Sequence, residues 1–331
     1  MSGLNVREEL LSDLEEFLRS GGHEVVRVDR ACFDLLVITR DGRSFIVKVL
    51  TNVDGLRKEV AEDLKVISHF LEAVPVIVAL RRRSGPLERG VVYHRYEIPV
   101  MEPITFAKTI EGEPPRAVAD RGGKYVEVRE EEVESVRVSS VRRRQLKLEG
   151  GRVSLARAEE AEIEGVPVRF RVPERVDTGK DRMTRFERRV AKHLERMGAE
   201  RTGKVRRAPF ELLAKDGDTV LVQSEDVSSR ESMALRDVVQ VTGSIGFVVT
   251  RKRRKRASCL PTIDLETLED LKDIEDLKEY LEEHDPSEKI RELVEEAGVT
   301  SPKEIARRTG LSESVIRELL RRMTAEGDQK F

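Results

Sequence analysis

Two stretches of the chain repeat one alternation of apolar and polar positions. The first is RACFDLLVITRDGRSFIVKVL, from Arg30 to Leu50, and the second is RRAPFELLAKDGDTVLVQSED, from Arg206 to Asp226. Each runs aromatic, acid, two leucines, an Asp-Gly turn, then a β-rich segment. In the first copy, Leu10, Leu11, Leu14, Phe17 and Leu18 recur at helical spacing and predict a helix over Val6–Arg19, ended by Gly21-Gly22. Strands are expected at His23–Val28, Phe33–Thr39 and Ser44–Leu50, with Asp41-Gly42 as the hairpin turn. A helix from about Gly55 to Leu71 precedes VPVIVAL (Val74–Leu80), which does not alternate and so reads as a fully buried strand. The second copy predicts the same order. It has a helix over Phe186–Met197, strands at Phe210–Ala214 and Thr219–Gln223 joined by Asp216-Gly217, a helix over Ser229–Thr242, and a strand at Gly246–Thr250. The chain therefore reads as an α/β protein with a diverged internal duplication.

A helix followed by a hairpin, with an acid on one strand and x-x-Lys on the next, resembles the restriction-endonuclease-like fold. Such nucleases need two acids to hold a divalent metal and a lysine to position or activate the attacking water. The first copy supplies Asp34 and Lys48, but the position two before the lysine is Ile46. The second supplies Glu211, with Leu221 and Gln223 at the corresponding places. One carboxylate is a poor magnesium site, so the expectation is two units without a metal and without catalytic residues. The rival reading borrows an acid for Asp34 and Lys48 from the following helix, Glu59 or Glu62, and makes the protein a structure-specific nuclease.

Length and charge change the picture little. The 331 residues suffice for two or three domains. The net charge of −2 gives no global field toward nucleic acid or membrane, so local charge must decide. Charged residues form 37% of the chain, with two Asn and four Gln, a balance that fits a thermophile's protein. Cys32 and Cys259 have no metal-ligand or disulfide spacing, no glycine-rich phosphate loop is present, and no cofactor is expected. The N-terminus lacks an apolar signal core and no run reaches eighteen apolar residues, which predicts a soluble cytoplasmic protein with no membrane partner.

Local charge is uneven. From Arg137 to Arg157 seven Lys or Arg face the single acid Glu149, and Arg142, Arg143, Arg144 and Lys147 would fan around a short helix capped by Ser139 or Ser140. Arg251–Arg256 is RKRRKR, and Arg81–Arg83 holds the matching place in the first copy. These cations suit phosphates, or simply pair with acids nearby. From Asp264 to Asp285 eleven acids accompany two lysines, with leucines at 265, 268, 271, 277 and 281 forming an apolar stripe for one helix docked on the second copy.

The C-terminal stretch VTSPKEIARRTGLSESVIRELLRRMTAEG (Val299–Gly327) has the sharpest local grammar. Ser301, Pro302 and Glu304 predict a capping box with proline at the first helical position. Thr309-Gly310-Leu311 makes a tight turn and Ser312 caps a second helix striped by Val315, Ile316, Leu319 and Leu320. This resembles a helix-turn-helix of the winged or Lrp/MarR kind, in which the second helix enters the major groove by its N-terminal half. Ser312, Ser314, Arg317 and Arg321 would then face double-stranded DNA, with Arg317 as the base reader.

Several ordered phrases in the N-terminal part carry a further resemblance: ACFDLLVI, KVLTNVDGL, AEDLKVISHFLEAVPVIV, LERGVVYHRYEIPVMEPITF and EGEPPRAVADRGGKYVEV. Over about residues 5–128 they are similar to the archaeal family of helix-turn-helix transcriptional regulatory proteins. The resemblance implies a DNA-binding regulator in which a Cro/repressor-type helix-turn-helix comes next, followed by a domain with an RAPF phrase like Arg207–Phe210. Here only Val136–Gly165 matches the later part of that middle unit, at Ser139, Ser140, Arg142, Arg143 and Arg144, and its first two helices are missing. The 301–322 motif is expected to have taken over.

The expected organisation is a nuclease-like α/β domain at 1–128, a basic linker at 129–180, the second α/β copy with its acidic helix at 181–285, and the helix-turn-helix at 286–331. The expected function is a non-enzymatic transcriptional regulator, homodimeric because half-site reading favours two-fold symmetry. The alternatives are the nuclease above and a protein-interaction adaptor whose helix-turn-helix never meets DNA.

Overall fold

The computed structural model describes residues 3–120, 122–128, 152–160, 163–224, 228–251, 258–295, 298–299 and 301–328. The chain divides into two compact units, Met1–Val176 and Asp177–Phe331.

In the first unit α1 (Gly3–Ser20) leads into β1 (Glu24–Arg27), β2 (Leu35–Ile38) and β3 (Ser44–Asn52). A 3-10 turn at Val53–Gly55 and α2 (Lys58–Phe70) carry the chain to β4 (Val74–Arg82). Then come β5 (Gly85–Pro86), β6 (Val91–Arg95), β7 (Ile98–Met101), α3 (Pro103–Ile110), β8 (Ala117–Asp120), β9 (Gly123–Glu127), β10 (Arg152–Ser154) and α4 (Leu155–Glu160). The strands form one mixed sheet in the order β1-β2-β3-β4-β7-β6-β8-β9-β10, with β5 on β4. β1, β2 and β3 pair antiparallel, and the α2 crossover makes β3 and β4 parallel. The pleat sends Val47 and Val49 to the face covered by Leu11, Leu14 and Leu18 of α1 and by Phe106 of α3. Ile46 and Lys48 point to the other face, where α2 packs on β3 and β4. Lys48 stands opposite Ile77, Ile77 opposite Val100, and Val100 opposite Tyr93, so these four form one row across that face.

The second unit repeats the order. α5 (Arg185–Arg196) is followed by β11 (Arg201–Lys204), β12 (Leu212–Asp216), β13 (Asp218–Ser224), α6 (Ser229–Thr242), β14 (Ile245–Thr250) and β15 (Thr262–Asp264). β11, β12 and β13 pair antiparallel and β14 joins parallel to β13, the same sense of pairing as β1 to β4. The likeness ends there. Among the described residues β15 alone extends this sheet, where the first unit adds six strands beyond β4. Gly246 on β14 lets α6 come close: a Cβ there would meet Val239 Cγ2 at 2.2 Å.

Helix starts follow side-chain chemistry. Thr184 with Glu187, and Ser228 with Glu231, each form a reciprocal capping box at the heads of α5 and α6. The box predicted at Ser301 and Glu304 does not form: the Ser301 hydroxyl caps nothing, and Glu304 turns instead to Arg307 and Arg308 at 2.7 and 2.9 Å. The acidic segment is also not one helix. It breaks into α7 (Leu265–Asp270) and α8 (Ile274–Glu283), because Asp273 accepts from the Asp276 N–H and restarts the helix. Leu265, Leu268, Leu277 and Leu281 do enter the core with Val190, Leu194 and Phe247. α9 (Pro286–Glu295), α10 (Pro302–Thr309) and α11 (Glu313–Asp328) close the unit. No helix among the described residues is long and apolar enough to cross a membrane.

Candidate nucleic-acid interface and the two carboxylate centres

In the first copy the backbone of Asp34 is held by β3: its N–H donates to Val47 O at 2.8 Å. Its buried carboxylate faces only donors. Arg7 Nη2 lies 2.6 Å and Lys48 Nζ 3.1 Å from Oδ1, and the Val49 N–H is 2.7 Å from Oδ2. Arg7 Nε also donates to Val49 O at 3.0 Å, and Lys48 Nζ to Ala31 O at 3.1 Å. The Arg7 guanidinium thus bridges a carboxylate and a main-chain carbonyl, the kind of oxygen pair a hard divalent cation would take. The acid expected two positions before Lys48 is missing, since position 46 is a fully buried isoleucine. These residues do not fit a magnesium ion.

The acids expected to be borrowed stand on α2. Glu59 is exposed and Glu62 half-buried at 3.9 Å from Lys58. The helix instead brings Asp63 inward, 1% exposed. Burial pushes the Cys32 thiol well above its ordinary range, and Asp63 and Asp34 add to that push against Lys48. Cys32 is therefore not a nucleophile.

The second copy reproduces this wiring with different side chains. The Glu211 N–H donates to Val222 O at 3.0 Å, and Glu211 accepts from the Ser224 N–H at 2.8 Å and Ser224 Oγ at 3.2 Å. Gln223 stands where Lys48 does. Its Nε2 donates to Pro209 O at 2.7 Å and its Oε1 accepts from Ser232 Oγ at 2.8 Å. Burial raises the Glu211 carboxyl above its usual value, although Ser224 and Lys204 oppose it. Burial also works against the charge of Glu187, but Lys204 and the Thr184 N–H keep that carboxyl below its usual value. A neutral amide has replaced the ammonium, and no group of three His, Cys, Asp or Glu able to hold a metal occurs among the described residues.

The C-terminal helices place a polar face beside this scaffold. Ile290, Ile305, Leu311, Val315, Ile316 and Leu319 are buried. Gly310, at φ 76°, caps α10 through its N–H to Ala306 O and turns the chain toward α11. Ser312 Oγ accepts from the Val315 N–H at 3.4 Å and lies 3.0 Å from Ser314 Oγ. Ser312, Ser314, Arg317 and Arg321 are all exposed, opposite Val315, Ile316 and Leu319. Arg317 pairs with Glu313 at 2.6 Å, an exposed pair worth little and readily exchanged for another anion.

Arg142, Arg143 and Arg144, with Ser139 and Ser140, lie outside the described residues. Of the RKRRKR run only Arg251 is described, over the Phe186 ring at 5.1 Å. Arg81, Arg82 and Arg83 are exposed at the end of β4. Sequence reasoning missed Arg7, whose partner is 27 positions away, and Asp63, whose signal was an acid on the apolar side of α2.

Residues 7–115 match a PD-(D/E)XK superfamily domain and residues 289–327 a winged helix-turn-helix DNA-binding domain. A relative in Methanopyrus kandleri, named a putative HTH-type transcriptional regulatory protein, is 69% identical over 98% of this chain and 100% of its own length. One of the same name in Thermococcus kodakarensis is 32% identical over 80% of this chain and 92% of its own. Another in Methanocaldococcus jannaschii is 40% identical, over 37% of this chain and 39% of its own. No solved structure matches.

Proposed function

The chain belongs to the archaeal family of HTH-type transcriptional regulatory proteins, and we propose that it acts within that family as a non-enzymatic regulator that reads double-stranded DNA through α11. One observation carries the reading: Ser314, Arg317 and Arg321 recur at helical spacing on the exposed side of the second helix of a helix-turn-helix, and Ser312 caps its first turn. The N-terminal half of such a helix is the part that reaches base edges. Arg317 takes the base-reading role, Arg321 and the serines hold phosphates, and Arg142–Arg144 add sequence-independent affinity. The protein works in the cytoplasm, and as a homodimer, because two-fold symmetry matches paired half-sites.

The donor set around Asp34 supports the absence of cleavage. Its carboxylate is taken by Arg7, Lys48 and the Val49 N–H, and Ile46 offers no oxygen. The test is a salt series of DNA binding by the full chain, selected on genomic fragments. Arg317→Ala should weaken specific binding by about 1–3 kcal/mol, roughly 5- to 150-fold, and relax sequence preference. Arg321→Ala should lower the salt slope by about one unit. Unchanged affinity and slope in both variants would sink the assignment, and Mg²⁺-dependent cleavage lost in Lys48→Ala would restore the nuclease reading.

A further inference from the structure

The first unit opens into a cavity of about 590 Å³, within the range of small-molecule sites. It lies beyond the carboxyl ends of β3 and β4, the place where open α/β sheets collect ligands. Val53 and Asp54 follow β3, Arg82 ends β4, and Tyr93, His94 and Arg95 come from β6. Tyr93 belongs to the same cross-strand row as Lys48, three strand spacings or about 14 Å away. The cavity is therefore separate from the Asp34 centre.

Its charged lining is three arginines, Arg82, Arg95 and Arg152, against two aspartates, Asp54 and Asp120. Arg82 lies over the Tyr93 ring at 4.8 Å and Arg95 over the Tyr96 ring at 4.7 Å. Neither guanidinium has a carboxylate partner among the described residues. Arg95 Nε is buried and has no hydrogen-bond partner, an orphan donor of a kind native proteins rarely leave. Both lining acids have partners of their own: Asp54 accepts from the Arg83 N–H at 2.5 Å, and Asp120 stands 3.6 Å from Arg152, which leaves Arg82 and Arg95 without a carboxylate. Planar guanidiniums held on aromatic faces present parallel N–H donors, the geometry that takes phosphate oxygens in pairs.

We propose that this cavity binds a phosphate-bearing small molecule of nucleotide size, with Arg82 and Arg95 on the phosphate. The site is in place whether or not α11 reads DNA, so the two readings stand or fall separately. The probes are ATP, AMP, adenosine, inorganic phosphate and a short DNA duplex, each titrated into the full chain by calorimetry and by thermal melting. A nucleotide should bind and raise the melting temperature, while adenosine, lacking phosphate, should do neither. Arg82→Glu, at an exposed position, should weaken nucleotide binding more than tenfold, and Arg95→Gln should do the same. If Arg95→Gln fails to fold, Arg82→Glu decides. Arg317→Ala, far along the chain in the DNA-reading helix, should leave nucleotide affinity unchanged. The proposal is overturned if no phosphate compound binds at about 1 mM, or if Arg82→Glu leaves the affinity intact. It is also overturned if only the duplex loses affinity in Arg82→Glu, which would assign these arginines to a nucleic-acid backbone.

Discussion

Replacing Asp34 with asparagine separates a structural carboxylate from a metal ligand. The residue is 3% exposed, and its carboxylate receives Arg7 at 2.6 Å, Lys48 at 3.1 Å and the Val49 N–H at 2.7 Å. The asparagine would keep the shape and lose the charge. Whichever way its amide turned, an N–H₂ would confront a donor: the Val49 N–H if the oxygen stayed with Arg7 and Lys48, or those two cations if it did not. Removing one partner from a buried ion pair costs about 3–5 kcal/mol. For a unit the size of Met1–Val176, about 2–4 °C is lost per kcal/mol, so the first unit should melt about 6–20 °C lower. The assay is calorimetry of the full chain with and without Mg²⁺ or Mn²⁺, where neither ion should move the wild-type transition. In a true metal site the outcome reverses. The apo carboxylates repel one another, Asp34→Asn raises apo stability, and the metal stabilises only the wild type by mass action. An Asp34→Asn variant as stable as the wild type, together with a metal-dependent rise in the wild-type melt, would refute the internal-cation reading.

Other outcomes follow from the second unit. Glu211 has a carboxyl raised above its ordinary 4.5 by burial, so the folded state holds that proton more tightly than the unfolded state. Its contribution is complete below 4.5 and falls as pH rises through the native value. Glu211→Gln should therefore gain on the wild type as pH rises above the ordinary 4.5 and through the native value in urea titrations, and a pH-independent difference would contradict this. Thr184→Ala and Ser228→Ala each remove half of a capping box and should cost about 1 kcal/mol, whereas Ser301→Ala, whose hydroxyl caps nothing, should cost less than about 0.5 kcal/mol. Gly246→Ala would push a methyl into Val239 and should lower stability by about 1–3 kcal/mol, read from the same melts.

The repeated unit was legible because its signals are local. The Asp-Gly turns fix both hairpins, with Gly42 at φ 81° and Gly217 at φ 63°, and the non-alternating run at 74–80 could only be a buried strand. The helix-turn-helix was legible for the same reason, through Gly310 and the stripe at 315, 316 and 319. What escaped depended on distance or on competition. Arg7 continues the apolar stripe of α1, four before Leu11 and seven before Leu14, but nothing within its own helix names Asp34 as its partner. The strands beyond β4 have no counterpart in the second copy to give them away. The pattern Ser/Thr-x-x-Glu occurs at 184, 228 and 301, yet closes only at the first two, because Arg307 and Arg308 draw Glu304 away.

The Arg7 bridge also couples positions that no single substitution can change to advantage. Removing Arg7 alone leaves a single carboxylate that still cannot hold a divalent ion. Installing an acid at position 46 alone places a second negative charge where Ile46 is now sealed from water. Each step by itself loses stability and assembles no two-acid centre, so a magnesium site of the usual two-acid kind would need both changes together. The second copy would need its own pair of changes, an acid in place of Leu221 and a lysine in place of Gln223. The interior is in this sense interlocked, with its charges fixed to one another, while the surfaces stay free to vary.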